Sequence, residues 1–217
     1  MPMRRLLLLA FLAAAGPAGA APGPSAAEAP RLDPADPAWA ALAAGLGRQR
    51  SVTAPFTENR WFPFRQTPTV LAGEARVSAA HGLSLHYLEP TERTVIIDDR
   101  GMLVRTPEGD RPAPSDPRTD TANAALLQVL RLNLAALAES FELHGRRDGA
   151  AWQLALVPRD AELRRTLGEI DVAGEGDDVR RIELRRSAVQ RVEILIGPPR
   201  STAPFTPAEL ARFFRRE

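Results

Sequence analysis

From residue 51 onward, apolar residues recur at every second position, in short runs cut by turn residues. No other feature restricts the fold as much. Val70, Ala72 and Glu74 alternate with Leu71, Gly73, Ala75 and Val77, and Leu83, Leu85 and Tyr87 share one face while Ser84 and His86 share the other. A period of two is the mark of a strand with one buried face. Glu89-Pro90 breaks the pattern, Thr94 to Ile97 is a β-branched run, and Asp98-Asp99-Arg100-Gly101 is a turn before Met102 to Arg105. These strands are joined by hairpins, so the sheet they predict is antiparallel. After a helical stretch the alternation resumes. Phe141 and Leu143 are in pattern, Arg147-Asp148-Gly149 is a turn, and Trp152, Leu154 and Leu156 share a face. Leu167 to Val172, Val179 to Leu184 and Val189 to Ile196 read as three further strands.

The helical segments follow a period of 3.6. Asp36 stands as N-cap before Pro37 at N1, and Trp39, Leu42, Ala43 and Leu46 fall on one face, with Gly47 placed to end the helix. Residues 107–118, with four prolines, read as a long surface loop. In residues 119–140, Thr119, Asp120 or Thr121 is placed to cap, Leu126, Val129, Leu130, Leu134 and Leu137 recur at helical spacing, and Asn133 is placed to cap a second helix. Thr206-Pro207-Ala208-Glu209 is a capping box, with Phe205 and Leu210 at staple positions and Phe213 or Phe214 placed to dock the helix. The expected fold class is α+β: an open antiparallel β-barrel of about 10–11 strands. Its helices cover the concave hydrophobic face.

Residues 1–20 read as a secretory signal peptide. Arg4 and Arg5 precede an apolar run from Leu6 to Ala15, and Ala18-Gly19-Ala20 is a small-x-small cleavage site. The run stops at Gly16-Pro17, short of the roughly 20 residues a span needs. The expected mature chain is therefore exported and soluble, with no transmembrane segment. Residues 21–35 read as an Ala/Pro-rich linker, and 36–217 as a single domain. Losing Arg4 and Arg5 from 28 basic residues leaves 26 against 27 acidic ones, a formal charge of −1. No nucleic-acid partner is expected of such a balance. A chain without cysteine suits an oxidising bacterial periplasm, and it excludes disulfides, thiol nucleophiles and Cys-ligated metals. All 28 basic residues are Arg, which excludes Schiff-base and P-loop lysine chemistry.

Catalytic constellations are thin. His81 and His86 have opposite parity, His144 is isolated, and Asp98-Asp99 and Asp177-Asp178 are turn residues. The arginine pairs at 146–147, 164–165, 180–181 and 185–186 read as solvated charges in preference to a phosphate or anionic-lipid site. No enzyme activity, cofactor or metal is expected. An apolar set stands out instead: Phe56, Trp61, Phe62 and Phe64 crowd one segment beside the face of Leu83, Leu85 and Tyr87. For any single one of these residues plain core is the simpler reading, and pattern alone does not separate a filled core from a lined cavity.

Phe56-Thr57-Glu58-Asn59, then Leu71-Ala72-Gly73-Glu74-Ala75, then Leu83 to Pro90, then Val95 to Gly101 follow one another in an order that resembles the LolA-like family, the periplasmic carriers of outer-membrane lipoproteins. The similarity covers most of residues 36–217. It implies a half-barrel with a helical lid over a hydrophobic cavity that binds acyl chains. Phe56, Trp61, Leu83, Leu85, Tyr87, Val95, Ile97, Leu126 and Leu130 are the candidate cavity residues. The implied partners are an acylated lipoprotein or lipid cargo, an inner-membrane extractor and an outer-membrane acceptor, with the protein a monomer. An interaction or sensor module for lipidated or misfolded envelope proteins is the second expectation. One departure is visible: Ala79-Ala80 stands where the carriers have an Arg-Pro pair whose Arg helps hold the lid.

Overall fold

The computed structural model describes residues 26–48, 51–113 and 117–215. The expected signal peptide and residues 21–25 of the expected linker lie outside the described residues. The first six strands run β1 (Ser51–Trp61), β2 (Thr69–Ser78), β3 (Gly82–Glu89), β4 (Arg93–Asp98), β5 (Gly101–Thr106) and β6 (Gly109–Pro112). The last five are β7 (Phe141–Asp148), β8 (Ala151–Pro158), β9 (Glu169–Glu175), β10 (Asp178–Ser187) and β11 (Gln190–Ile196). All eleven join one antiparallel sheet in the order β6-β5-β4-β3-β2-β1-β11-β10-β9-β8-β7, which does not close on itself. The first and last strands of the chain, β1 and β11, meet at its centre, with Phe56 opposite Ile196 and Glu58 opposite Ile194. Hence the β1–β6 meander and the β7–β11 meander each form one wing of an open half-barrel.

Among the described residues five α-helices accompany the sheet: α1 (Pro37–Arg48), α2 (Pro117–Leu130), α3 (Leu134–Ser140), α4 (Ala161–Leu167) and α5 (Pro207–Phe213). Three N-caps form as the sequence predicts, at Asp36, Asn133 and Thr206. Asp36 Oδ1 accepts from the Ala38 and Trp39 amides at 2.8 and 3.3 Å, Asn133 accepts from Ala136, and the Thr206–Glu209 capping box closes in both directions. α1, α3 and α4 press Trp39, Leu42, Leu134, Leu137, Leu163 and Leu167 into one apolar core with Trp152, Leu154, Leu156, Ile170 and Val172. Glycine makes this close approach possible. A Cβ at Gly145 would lie 2.4 Å from the Trp39 ring, and one at Gly174 would lie 2.2 Å from the Trp152 ring. α5 takes the opposite, convex face. It buries Phe213 and Phe214 near Arg76, His81 and His86.

Five expectations are corrected. Gly47 does not end α1, which runs through it to Arg48. Residues 26–35 are not a loose linker. Ala26–Glu28 form a 3-10 turn, and Arg31 bridges to His144 on β7, which pins the segment to the sheet edge. The loop expected over 107–118 contains β6, because Gly109, at φ +130°, allows a tight hairpin that pairs Asp110 with Arg105. Thr119, Asp120 and Thr121 lie inside α2, which begins at Pro117. Leu167 ends α4 instead of opening a strand; Asp160 caps that helix at 2.8 Å from the Leu163 amide, and Gly168, at φ +77°, stops it.

Candidate functional site

With β1–β6 as the left wing and β7–β11 as the right, the site grows out of the register of the left wing. On the concave face one cross-strand row runs Ala54–Ala75–Leu85–Val95, and a second runs Val52–Val77–Leu83–Ile97–Met102. The first row begins with two alanines. Their short side chains leave space between the sheet and the helices above, and a cavity of about 100 Å³ opens there. Ala54, Ala75, Leu83 and Leu85 form its floor, Ile182, Ile194 and Ile196 its far wall, and Leu46 of α1 and Leu126 of α2 its roof. Ile194 packs against both apolar cores, so the cavity lies at their junction. Among the described residues, the charged groups lining it are Asp177 and Asp178, from the β9–β10 turn and the first residue of β10.

The other end of this floor is polar and closed. Phe56, Gly73 and Tyr87 form the next row, where a Cβ at Gly73 would press within 3.0 Å of the Phe56 ring. Phe56 and Tyr87 meet edge to face with ring centroids 5.2 Å apart. The Tyr87 hydroxyl donates to buried Glu58 at 2.5 Å, and Glu58 also pairs with Arg60. Burial, and next the adjoining Glu58 carboxylate, push the Tyr87 hydroxyl well above the ordinary phenol range. This triad keeps a carboxylate satisfied inside an apolar wall, where an unpaired one would be very costly.

Polar contacts to the roof helices include two exposed ion pairs. Gly45 of α1 rests against Asp177, with room for no side chain between them, and Arg48 reaches the same carboxylate at 3.3 Å. At the end of α2, Arg131 meets Asp99 of the β4–β5 turn at 3.4 Å. Such exposed pairs are worth about 0–1 kcal/mol each. Ala79 is exposed in the β2–β3 turn and lines a cleft beside Leu127 and Arg131.

Of the residues singled out from sequence, Leu83, Leu85 and Leu126 line the cavity. Phe56, Tyr87, Val95 and Ile97 belong to the same apolar cluster but do not line it. Trp61 is not brought there: it ends β1 on the parity of Asn59, opposite that of Phe56, and its ring carries the Arg191 guanidinium at 4.1 Å. The side chain of Leu130 lies outside the described residues. Sequence reasoning missed Val52, Ala54 and Ala75, and it placed the far wall on no strand of the right wing. The alanines were visible on the correct parity, but a small residue carries no sign that its neighbours leave it uncovered.

The histidines sit elsewhere. His86 contacts Glu92 at 3.1 Å beneath α5, His81 lies near Phe214, and His144 bonds the Ala29 carbonyl at 2.9 Å. Among the described residues no helix is long and apolar enough to cross a membrane.

Comparison with known proteins adds a family. Among solved structures, the chain is similar to the LolA superfamily protein NE2245 of Nitrosomonas europaea, at 7% identity and a TM-score of 0.42, over 82% of this chain and 97% of that one. It is similar to the Pseudomonas aeruginosa MucA/MucB complex at 16% identity and a TM-score of 0.45, over 80% of this chain and 59% of that one. A putative outer membrane lipoprotein-sorting protein domain from Vibrio parahaemolyticus matches at 7% identity and a TM-score of 0.40, over 81% and 95% of the two chains. No curated protein matches the chain. The model of the family described as outer membrane lipoprotein carrier protein LolA-like matches residues 33–214, and the chain belongs to that family.

Proposed function

We propose that the protein is a periplasmic carrier, without enzyme activity, that takes an acyl chain of a lipoprotein or related lipid between the concave sheet face and helices α1 and α2 and carries it towards the outer membrane. The single observation behind this reading is the cavity roofed by Leu46 and Leu126. Its lining is aliphatic, and its two carboxylates come from the β9–β10 turn and the residue after it. An aliphatic chain lodges in such a site by the hydrophobic effect alone, at about 0.8 kcal/mol per buried CH₂.

At about 100 Å³ the cavity is close to the ~150 Å³ void that accepts benzene and well below the ~300–1,000 Å³ of drug-sized sites. The present conformation is thus the closed one on this reading, and a full chain enters as the roof helices move outward. Leu46 and Leu126 cover apolar surface that the cargo covers in the loaded state, so both states keep the trough from water. The weak Arg48–Asp177 and Arg131–Asp99 pairs oppose opening by little.

Leu85→Arg tests the reading. Leu85 is buried in the floor, so the substitution sets an uncompensated charge among aliphatic groups. The expected result is loss of a displaceable fluorescent acyl probe with the thermal transition retained. Global unfolding marks a packed core in place of a lined one. Native mass spectrometry of wild-type protein from the periplasm supplies the second readout, and a ligand-free mass together with no probe binding overturns the proposal.

A further inference from the structure

At the end of the sheet where β1 finishes and β11 begins, a second cleft of about 270 Å³ opens with a different chemistry. Arg60, Arg186 and Arg191 line it together with Trp61, Phe62 and Leu184, and no carboxylate lines it. Arg60 is already neutralised by Glu58. Arg186 and Arg191 have no carboxylate partner among the described residues; the Arg191 guanidinium lies over the Trp61 ring and donates to the Ala188 carbonyl at 3.4 Å. The adjoining β1–β2 loop adds Arg65, whose guanidinium meets the Thr69 hydroxyl at 2.7 Å.

The same loop carries the most exposed large apolar side chain described. Phe64 is 80% exposed and stacks on Phe62 with centroids 5.5 Å apart. Val189, 56% exposed, lies in the β10–β11 turn at the same end of the sheet, because Trp61 pairs with Arg191. Folding gains nothing from holding these groups in water. Aromatic tips interleaved with guanidiniums are suited to a boundary where rings enter the headgroup layer and cations meet phosphates. Opposing charge at this end comes from Glu89 at the end of β3, from Glu92, which His86 engages, and from Glu169, which opens β9 across from Arg185.

We propose that this end of the sheet docks on a bilayer surface rich in anionic phospholipid. Phe62 and Phe64 enter the headgroup layer, and Arg65, Arg186 and Arg191 engage lipid phosphates. The proposal stands on residues outside the acyl cavity and does not depend on the cargo.

Co-sedimentation of the full chain with phosphatidylcholine vesicles, with and without phosphatidylglycerol, tests it. Binding is expected only when phosphatidylglycerol is present, and to fall as salt rises. Arg186→Ala with Arg191→Ala should weaken it about tenfold or more, from roughly 1 kcal/mol per guanidinium at an anionic surface. Phe64→Ser, at a site too exposed to matter for folding, should weaken it as well. A thermal melt of each variant certifies the fold, and acyl-probe binding in the cavity should be unchanged. Equal binding to both vesicles, no vesicle binding, or binding insensitive to both variants overturns the proposal. So does saturable capture of soluble glycerol phosphate without vesicle binding, which marks a soluble-anion site. Absence of acyl-probe binding in the wild type overturns the carrier reading alone.

Discussion

The two wings of the sheet solve the same packing problem in opposite ways. In the right wing the concave rows are Gly145–Leu154–Val172–Ile182 and Leu143–Leu156–Ile170–Leu184, and large residues alternate with glycines that admit indoles. Trp152, Leu154, Leu156, Ile170 and Val172 are 2% exposed or less, with three helices seated on them. In the left wing, Ala54 and Ala75 face each other across β1 and β2, and the helices above do not descend to fill the gap. One chain thus builds a solid half that anchors the helices and a half with space under the roof. The lesson is that a cavity here needs no special residue. It needs two small side chains opposite one another where the adjacent wing would place a large one.

The largest expected effect breaks the solid half. Trp152→Ala removes a fully buried indole, together with its bond to the Gly176 carbonyl at 3.0 Å, and should cost about 3–5 kcal/mol in denaturant unfolding. A loss below about 1 kcal/mol would mean that this wing is no better packed than the other. The complementary change fills the left wing. Ala75→Leu places three further carbons into the void, so stability should hold within about 1 kcal/mol, whereas the same enlargement in a filled core costs about 1–3 kcal/mol. Acyl-probe affinity should fall at least about tenfold, equivalent to roughly 1.4 kcal/mol. Stability lost in Ala75→Leu with the probe still bound would erase the distinction between the wings.

This contrast also marks what the sequence could and could not reveal. Alternation put Leu83, Leu85 and Tyr87 on one face, and the structure gathers all three in one apolar cluster. Caps at Asp36, Asn133 and Thr206 were legible because each is a local side-chain-to-backbone bond. α4 was missed although Asp160 and the Leu163/Leu167 pair announce it, since seven residues between two strands also fit a strand start. Trp61 was misplaced by counting aromatics in a segment without following parity past Asn59. The right-wing wall of the cavity was not legible at all. Ile182, Ile194 and Ile196 reach it only because β11 returns to pair with β1, a contact across more than 130 residues.

The smallest effect, nil at neutral pH, probes the closed floor beside the cavity. Tyr87 is the only tyrosine in the chain, so tyrosinate absorbance reports on it without ambiguity. Burial, reinforced by Glu58, raises its folded-state pKa above the ordinary value of 10. The sign follows from proton counts. Above pH 10 the unfolded chain has released the proton and the folded chain still holds it, so folded protein binds more protons and stability falls as pH rises. The slope approaches about 1.4 kcal/mol per pH unit between the unfolded and folded pKa values, and the contribution is fully present below pH 10. Native protein should therefore show no tyrosinate in the range where a free phenol ionises, and the band should appear together with the loss of tertiary structure. Glu58→Gln removes the carboxylate charge while keeping an acceptor, so it should shift onset towards the ordinary range without abolishing the burial component. Titration near pH 10 with the fold intact would place Tyr87 in contact with water, and the trough would then be open at both ends.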